Sequence, residues 1–337
     1  MINTFSSLSQ KDKRLLIDET SALMGVDQVV VEKDIWVSIV LESIFSSPDL
    51  KDHFIFKGGT SLSKVYDVIH RFSEDIDLIM DWRLIGVGAA DLNPWDQTRS
   101  RTKQDLFNKS LGLTTNQYLQ ASFIPWMRQR VPQEANVFLS KLVDQGVEIL
   151  YPALYSSNYI PNKVLLEIGP LASWIPWAWR EIQPYACRHF PNALGKNIIP
   201  IRVTTAERTF WEKATIVHQI FHTEKMPPPR YSRHYYDLYM LIIKGIGESA
   251  LGDLDLLQSV AYFKDRFYPS AGARYDLAKP GTLRLVPGKT QQKALKDDYA
   301  GMQAMFFRDP PKWDDIIREL QDLENRINKN TKRSPHG

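Results

Sequence analysis

The sequence has a single cysteine, little net charge and no long hydrophobic run. Cys187 has no intramolecular partner for a disulfide, and no second cysteine could complete a thiolate zinc site or a redox pair. No run approaches the ~18 apolar residues of a membrane span, and the N-terminal residues lack the basic start and apolar stretch of a signal peptide. We therefore expect a cytoplasmic protein in a reducing setting, with no membrane partner.

The composition is that of a folded protein and leaves the kind of partner open. Of the 337 residues, 43% are hydrophobic and 24% are charged, which excludes disorder of the whole chain. The 42 Lys and Arg residues and 39 Asp and Glu residues give a net charge of +3, which permits a nucleic-acid partner without indicating one. The length predicts about two domains.

Hydrophobic periodicity and turn residues predict an α/β half followed by a mainly helical half. We place an α/β domain with N-terminal helices at residues 1–203, a mainly helical domain at 204–330 and a disordered tail at 331–337. Thr204 and Glu207 stand at capping-box spacing, so they predict the start of the first long helix of the second domain.

Residues 82–145 are predicted to form an insertion in the first domain. Periodicity is poor over 82–116, where Gly, Asn, Pro, Asp and Thr are frequent, and this favours a long loop. Helices are predicted after it, over 116–130 and 134–144. The strand-like segments EILYPAL and KVLLEIG follow, which returns the chain to the sheet.

A glycine pair lies between a predicted strand and a predicted helix. Gly58 and Gly59 follow the apolar segment HFIF after one lysine. Glycines let a phosphate approach the backbone closely, while the hydroxyl groups of Thr60 and Ser61 and the helix N-terminus offer hydrogen-bond donors to an anion. We predict that these four residues bind the phosphates of a nucleotide, although the turn matches neither a Walker A loop nor a dinucleotide-binding fingerprint.

Two aspartates lie on the next predicted strand, DIDLIM. Because side chains alternate between the faces of a strand, Asp75 and Asp77 project from the same face. Carboxylates in this arrangement can share divalent cations, and Mg²⁺ prefers carboxylate, water and phosphate oxygens. We therefore expect Asp75 and Asp77 to hold a metal–nucleotide complex.

The order of these features resembles the nucleotidyltransferase fold related to DNA polymerase beta, in which a glycine turn and a helix precede a strand with two aspartates. The resemblance implies a mixed sheet, a turn that holds the triphosphate, and aspartates that bind two catalytic Mg²⁺ ions. That fold takes a third carboxylate from a neighbouring strand. Glu167 in KVLLEIG is the favoured candidate, because an acid among apolar neighbours needs a partner, and Glu148 in VEILY is the competitor.

Four motifs in the right order resemble the AbiEii/AbiGii-type nucleotidyltransferase toxins, the toxin half of bacterial toxin–antitoxin and abortive-infection pairs. The segment FKGGTSLSKVYDVIHRFSEDIDLIM is similar to the first two motifs, and VEKDIWVSIVL is similar to the N-terminal helix of the family. TTAERTFWEKATIVHQ is similar to the third motif, where Lys213 falls on the motif lysine. RHYYDLYMLI is similar to the fourth motif, where Asp237 falls on the motif aspartate. The resemblance spans about residues 26–245.

This resemblance implies a Mg²⁺-dependent enzyme that transfers a nucleoside monophosphate from an NTP to an RNA acceptor, with a tRNA 3′ end expected, and releases pyrophosphate. The modification would block translation until a cognate antitoxin intervenes. The resemblance also implies that Lys213 contacts the β- or γ-phosphate as a point charge. Asp237 would either orient Lys213 or act as a base on the incoming hydroxyl, and a salt-bridge acid at a helix end is the non-functional alternative.

Two other functions are compatible with the same residues. A metal-dependent RNA phosphodiesterase also uses carboxylates with two metal ions, but it has no triphosphate for a glycine turn to hold. A non-catalytic nucleotide- or RNA-binding protein of this fold is opposed by the intact Asp75 and Asp77. Nucleotide dependence and pyrophosphate release distinguish the three.

Two further patterns are interpreted as structural. His218 and His222 stand four apart on a helix, but the glutamate of a zinc-protease motif and any further ligand are missing, so they are read as ordinary histidines. Trp174, Trp177 and Trp179 could stack on single-stranded RNA, with core or loop packing as the favoured interpretation.

Overall fold

A computed structural model describes residues 2–73, 75–85, 93–157, 160–170, 176–195, 198–223, 226–270 and 272–329. The chain divides into two compact units. Unit 1 contains the chain up to Val65 together with Phe72–Thr204, and unit 2 contains Tyr66–Arg71 together with the chain from Thr205 onward. The predicted tail at 331–337 lies outside the described residues.

Unit 1 is built on a sheet in which the described residues form seven strands. The strands are β1 Phe54–Lys57, β2 Asp75–Met80, β3 Asn136–Leu139, β4 Gly146–Leu150, β5 Lys163–Gly169, β6 Trp177–Ile182 and β7 Ile199–Thr204. Their order across the sheet is β3-β4-β5-β2-β1-β7-β6. The β2–β5 and β1–β7 pairs are parallel and the other four neighbouring pairs are antiparallel. The predicted α/β class with a mixed sheet is therefore confirmed.

Along the chain, the helices of unit 1 lie before the first strand and between the strands. They are α1 Ile2–Ser7, α2 Gln10–Met24, α3 Gln28–Phe45, α4 Gly58–Lys64, α5 Arg101–Tyr118, α6 Ile124–Arg128 and α7 Tyr185–His189, with a π-helical turn at Leu119–Phe123 and a 3₁₀ turn at Trp82–Ile85. Helix α3 is buried along nearly its whole length, as expected for a helix that is apolar on most sides. It packs against β7 and β5 and forms part of the core under the sheet.

Unit 2 is helical in the part of the chain that the structure describes. Its helices are α8 Ala206–His222, α9 Arg233–Ile243, α10 Ile246–Leu251, α11 Leu254–Phe267, α12 Lys289–Gly301 and α13 Trp313–Lys329, with 3₁₀ turns at Tyr275–Leu277 and Gln303–Met305. Helix α8 is capped by Thr205, whose hydroxyl accepts from the Arg208 amide at 3.4 Å. The cap is thus one residue later than the predicted Thr204, because Thr204 remains in β7.

Two predictions for the segment 82–145 are wrong. The loop predicted over 82–116 contains α5, which Ser100 caps; only three of its residues are buried, so its hydrophobic periodicity is weak. The helix predicted over 134–144 is replaced by β3, in which Val137 is buried and its neighbours are exposed. Pairing with β4 decides the conformation there, which local sequence does not reveal.

Within the described ranges, no helix combines the length and the apolar character needed to cross a membrane.

Candidate active site

The glycine turn of unit 1 lies against one of the predicted metal ligands. Gly58 has φ +80°, a conformation that side chains rarely adopt. A Cβ atom added to Gly58 would lie 1.8 Å from Asp77 Oδ2 and 2.6 Å from Asp77 Cγ. Only glycine leaves room for the Asp77 carboxylate beside the backbone of this turn, so the turn and the carboxylate form one local site.

Thr60 and Ser61 use their hydroxyl protons inside unit 1. The Ser61 hydroxyl donates to the Gly58 carbonyl at 2.8 Å, and Ser61 is fully buried. Thr60 Oγ1 makes bonds to the Asp75 carbonyl at 2.5 Å and to Ser73 Oγ at 3.0 Å. These contacts give both hydroxyl groups a role in shaping the turn, and a contact of either residue with a nucleotide phosphate stays a prediction. The first-turn amides of α4, which include those of Gly58 and Gly59, have no acceptor within the helix.

Three predicted carboxylates share one face of the sheet. Asp75 and Asp77 are both partly exposed on β2, while the residues between and after them are buried. Glu167 on β5 stands directly beside Asp77, and Leu165 stands beside Asp75. Since residues paired across neighbouring strands project from the same face, Glu167 lies on the face of Asp75 and Asp77.

Glu148, the competing third carboxylate, is engaged elsewhere. It lies on β4 and pairs in register with Leu165, one strand further from Asp77 than Glu167 is. Its carboxylate accepts from Lys163 at 2.8 Å and from Ser140 at 2.7 Å. Burial alone would raise the pKa of Glu148, but these two partners hold it below its ordinary value. The register therefore favours Glu167.

The donor set fits Mg²⁺ held partly by its substrate. Among the described residues no three His, Cys, Asp or Glu side chains form a group that could hold a metal ion. Mg²⁺ does not need such a cage, because it is commonly bound by one or two carboxylates together with substrate phosphates and water. Asp75 and Asp77 supply hard oxygen donors on one face, and the Asp77 carboxylate lies beside the glycine turn. Glu167 as a third ligand stays a prediction.

Unit 2 contains a cluster of four buried polar side chains around Asp237, which we call the Asp237 cluster. Asp237 accepts two hydrogen bonds from Arg71, from Nε to Oδ1 and from Nη2 to Oδ2, both at 2.7 Å. Lys213 Nζ lies 2.9 Å from Asp237 Oδ2, and His234 Nδ1 lies 3.4 Å from Lys213 Nζ. The four residues range from fully buried to 7% exposed. The motif lysine and motif aspartate are therefore direct partners.

Backbone contacts within unit 2 fix the segment that carries Arg71. The Arg71 backbone pairs with Phe306 as an isolated antiparallel bridge, and the Phe307 amide donates to the His70 carbonyl at 2.8 Å. The His70 amide donates to the Tyr236 hydroxyl at 3.1 Å, next to Asp237 on α9. These bonds place the guanidinium group opposite the Asp237 carboxylate.

Opposing effects set the charges of the cluster. Burial alone would raise the pKa of Asp237, but Arg71 and Lys213 more than compensate and hold it below its ordinary value. Burial lowers the pKa of Lys213, and Asp237 opposes part of that change. Burial, followed by the charges of Lys213 and Arg233, holds the pKa of His234 well below its ordinary value. We infer an ionised Asp237 and a neutral His234 at neutral pH.

The geometry favours one of the two roles implied for Asp237. A carboxylate with a lowered pKa, engaged by two cations on both oxygens, is a weak proton acceptor. It is well placed to orient Lys213. A charged Lys213 Nζ can donate to His234 Nδ1 in the tautomer whose ring proton lies on Nε2. Lys213 as a phosphate contact stays a prediction.

Sequence reasoning missed Arg71 and His234. The Arg71–Asp237 contact joins residues 166 positions apart, and nothing in the local sequence HRFSED marks an arginine for burial. His234 does lie inside the segment that resembles the fourth motif, three residues before Asp237 and therefore on the same helix face. That spacing is the signal that could have identified it.

The two histidines of α8 behave as the structural interpretation predicts. His218 is fully buried; its Nε2 contacts the Arg274 carbonyl at 3.0 Å and its Nδ1 accepts from the Arg284 amide at 3.0 Å. Both ring nitrogens are therefore used in hydrogen bonds within unit 2. The ring of His222 packs against the ring of His218 with centroids 4.5 Å apart.

Burial of His218 predicts a loss of stability in mild acid. Burial lowers its pKa to about 4, whereas in the unfolded chain it titrates near 6.5. The unfolded chain therefore binds more protons below pH 6.5, so stability is complete above that value and falls as pH decreases toward 4. At about pH 5 the expected loss is on the order of 2 kcal/mol.

Urea denaturation between about pH 7 and pH 5 measures this loss. His218→Gln is expected to be less stable than the wild type at neutral pH, because it gives up a hydrogen bond, but to lose less stability on acidification. Equal pH dependence in the two proteins would show that His218 does not carry the effect.

The structure describes two of the three tryptophans whose packing was predicted from the sequence. Trp174 lies outside the described residues. Trp177 and Trp179 lie on β6 with their rings edge to face and their centroids 6.4 Å apart. Trp179 is 44% exposed on a strand, which differs from the core or loop packing favoured by the sequence interpretation.

The chain is similar to proteins of one known family. A model of the family described as nucleotidyl transferase AbiEii toxin, type IV TA system, matches residues 39–319, more than half of the chain. Among solved structures, the nucleotidyltransferase toxin MenT4 from Mycobacterium tuberculosis H37Rv is similar with a TM-score of 0.47 and 14% identity, over 93% of this chain and 98% of that chain. None of the curated proteins matches the chain.

Proposed function

Because the chain belongs to the AbiEii nucleotidyltransferase toxin family, we propose that it transfers a nucleoside monophosphate from a Mg²⁺-bound NTP to RNA, at the 3′ end of a tRNA. The observation that carries this proposal is the contact between Gly58 and Asp77, which joins a turn of the kind that binds phosphates to a carboxylate of the kind that binds Mg²⁺. Modification of that end would prevent the tRNA from carrying an amino acid and would block translation. Because the family belongs to toxin–antitoxin systems, the proposal includes a cognate antitoxin that neutralises this protein.

The reaction exchanges a phosphoanhydride bond of the NTP for a phosphodiester bond to the RNA. The terminal hydroxyl oxygen of the RNA bonds to the α-phosphorus of the NTP, and the bond from that phosphorus to the bridging oxygen of the β-phosphate breaks. The RNA gains a nucleotide, pyrophosphate leaves, and the hydroxyl proton passes to solvent. Most of the rate enhancement in such reactions comes from positioning and charge stabilisation.

The residues of unit 1 divide this work between them. Asp75 and Asp77, with Glu167 in register beside Asp77, present carboxylate oxygens on one sheet face. Mg²⁺ bound there would polarise the phosphate oxygens and neutralise charge that develops on the leaving pyrophosphate. The turn at Gly58 and Gly59 admits the triphosphate close to the backbone, while Ser61 and Thr60 hold the turn through their hydroxyl groups.

The residues of unit 2 have a separate role in this proposal. Lys213 falls on the motif lysine to which the family resemblance assigns a phosphate contact, and it would act there as a point charge. Asp237 keeps its ammonium group in place and favours its charged form against the effect of burial.

Nucleotide labelling tests the proposal. Purified protein is incubated with Mg²⁺, total tRNA and each of the four NTPs radiolabelled at the α-phosphate. We expect label on tRNA with one or two of the nucleotides, with pyrophosphate released, and no label after chelation of the metal. Asp75→Ala is expected to lower labelling by at least about 100-fold, because it removes a carboxylate that would hold the Mg²⁺ that stabilises charge in the transition state.

A matched control separates loss of function from loss of charge. Asp144→Asn removes an exposed carboxylate from the β3–β4 connection of the same unit and is expected to label like the wild type. Absence of label with every nucleotide would overturn tRNA transfer. Shortened tRNA would then indicate a phosphodiesterase, and tRNA that binds unchanged would indicate a non-catalytic binding protein.

A further inference from the structure

The sheet face with the carboxylates extends to a pair of tryptophans on the edge strand. Lys57 pairs with Asp77, and the Phe56–Val203 register places Thr204 beside Lys57. Thr204 in turn pairs with Trp177 on β6. Residues paired in this way project from one face, so Trp177 shares the face of Asp77. With three strand spacings of about 4.8 Å between them, they lie about 14 Å apart along the sheet.

Trp177 is contacted by an arginine on β7, the neighbouring strand. The Arg202 guanidinium lies over the Trp177 ring at 4.1 Å from its centroid, and Arg202 is only 8% exposed. Its Nη1 donates to the Asp52 carbonyl, while Nε is buried without a hydrogen-bond partner. The guanidinium is therefore fixed in one position and supports the Trp177 ring by a cation–π contact.

The second tryptophan presents its ring to solvent on the same face. Trp179 pairs with Arg202 in register and packs edge to face on Trp177. With 44% of its surface exposed, it stands on the last strand of the sheet, where natural proteins usually place charged residues. An exposed indole on a rigid support is suited to recognise a flat, uncharged ring.

We propose that Trp179, supported by Trp177 and Arg202, stacks on an unpaired nucleobase of the RNA acceptor. This inference rests on the proposed function and names the form of RNA that the enzyme takes. A base inside a duplex has both faces covered by its neighbours, whereas an unpaired base can offer a face to Trp179. Trp179 stands two residues along β6 from Trp177, so it lies more than about 14 Å from Asp77, at a separation that suits a base upstream of the reacting hydroxyl.

Direct binding tests the proposal without any transfer reaction. A short fluorescein-labelled single-stranded RNA is titrated with protein, without NTP, and binding is followed by fluorescence anisotropy. Trp179→Ala is expected to raise the Kd by about 5- to 100-fold, the range for one base stacked on an aromatic side chain. Trp179→Phe keeps a ring and should restore most of the affinity. A duplex of the same sequence should bind wild type and Trp179→Ala alike.

Phe138→Ala is the matched control. Phe138 is an exposed aromatic residue on β3, the opposite edge strand, and is 38% exposed. Its loss should leave the Kd unchanged. The proposal is wrong if Trp179→Ala binds single-stranded RNA like the wild type, or if Phe138→Ala weakens binding equally.

Steady-state transfer kinetics give a second readout. Trp179→Ala should raise the KM for RNA while the KM for NTP and kcat stay unchanged, a pattern that mere destabilisation of the sheet would not produce. A raised KM for NTP alone would assign the stacked base to the nucleotide and overturn the proposal. Because the anisotropy measurement needs no catalysis, a wild-type protein that binds RNA through Trp179 but transfers nothing would refute the proposed function alone.

Discussion

Gly58→Ala is expected to lower nucleotide transfer by at least about 100-fold, since misplacing a reacting group by roughly 1 Å can have that effect. The alanine Cβ would meet Asp77 Oδ2 at 1.8 Å, so either the turn or the carboxylate must move. Both belong to the site that we propose holds the metal–nucleotide complex. The initial rate of tRNA labelling at saturating NTP measures the loss.

Gly25→Ala is the control for backbone strain. Gly25 ends α2 with φ +66°, and an added Cβ would have nothing within 4 Å. Its replacement costs about 1 kcal/mol of stability through the left-handed conformation and should leave transfer unchanged. A wild-type kcat for Gly58→Ala would contradict the proposal that Asp77 holds the metal ion from its position beside the Gly58 turn.

A double variant separates collision from strain. Asp77→Ala removes the two atoms nearest the added Cβ, and the next nearest is Asp77 Cβ at 3.0 Å. The combined variant should therefore lose less stability than the sum of the two single variants, although neither the double nor the Asp77 variant transfers nucleotide. If the stability losses of the two single variants add up in the double variant, backbone strain at position 58 causes the loss, and collision with Asp77 does not.

The carboxylate face is the part of the site that the sequence predicts best. DIDLIM and KVLLEIG are predictable as strands because each is a short apolar run with β-branched residues, and β2 and β5 have those bounds. Alternation along a strand then places Asp75 and Asp77 on one face. The choice between Glu167 and Glu148 needs the strand order, which follows from pairings between residues far apart in sequence.

The Asp237 cluster shows where sequence reasoning ends. The motif resemblance identifies Lys213 and Asp237, but the partner that neutralises Asp237 from the other side is Arg71, in a segment that precedes β2. A buried arginine and a surface arginine look alike in sequence, since burial is decided by the packing of unit 2. The same dependence on distant partners explains why the local sequence predicts a helix at β3, where pairing with β4 produces a strand.

Asp237→Asn is expected to lower the free energy of unfolding by about 3–5 kcal/mol, the cost of breaking a buried ion pair by removing one partner. Asparagine keeps the shape of the side chain but removes the charge that Arg71 and Lys213 share. Arg71 stays charged, because guanidinium groups do not lose their proton in proteins. In the variant, the buried Arg71 guanidinium would therefore no longer have the Asp237 carboxylate to balance its charge. Urea denaturation at neutral pH measures the change.

The chain offers a closely matched control in Asp276→Asn. Arg274 and Asp276 form the same two-bond geometry, with Nε to Oδ1 and Nη2 to Oδ2 both at 2.9 Å, and they also belong to unit 2. Both side chains are more than half exposed, so water screens the pair and its loss should not change stability measurably. Equal losses in the two variants would contradict the view that burial makes the Asp237 cluster important.

The dependence on pH distinguishes lost charge from lost packing. Because Arg71 and Lys213 overcome the effect of burial and hold the pKa of Asp237 below its ordinary 3.8, the stabilisation is complete above that pH and is lost as pH falls through the lowered value. The stabilities of wild type and Asp237→Asn should therefore differ most near neutral pH and converge in strong acid. A difference that stays constant down to about pH 2 would instead show that the asparagine disturbs packing, since packing does not titrate.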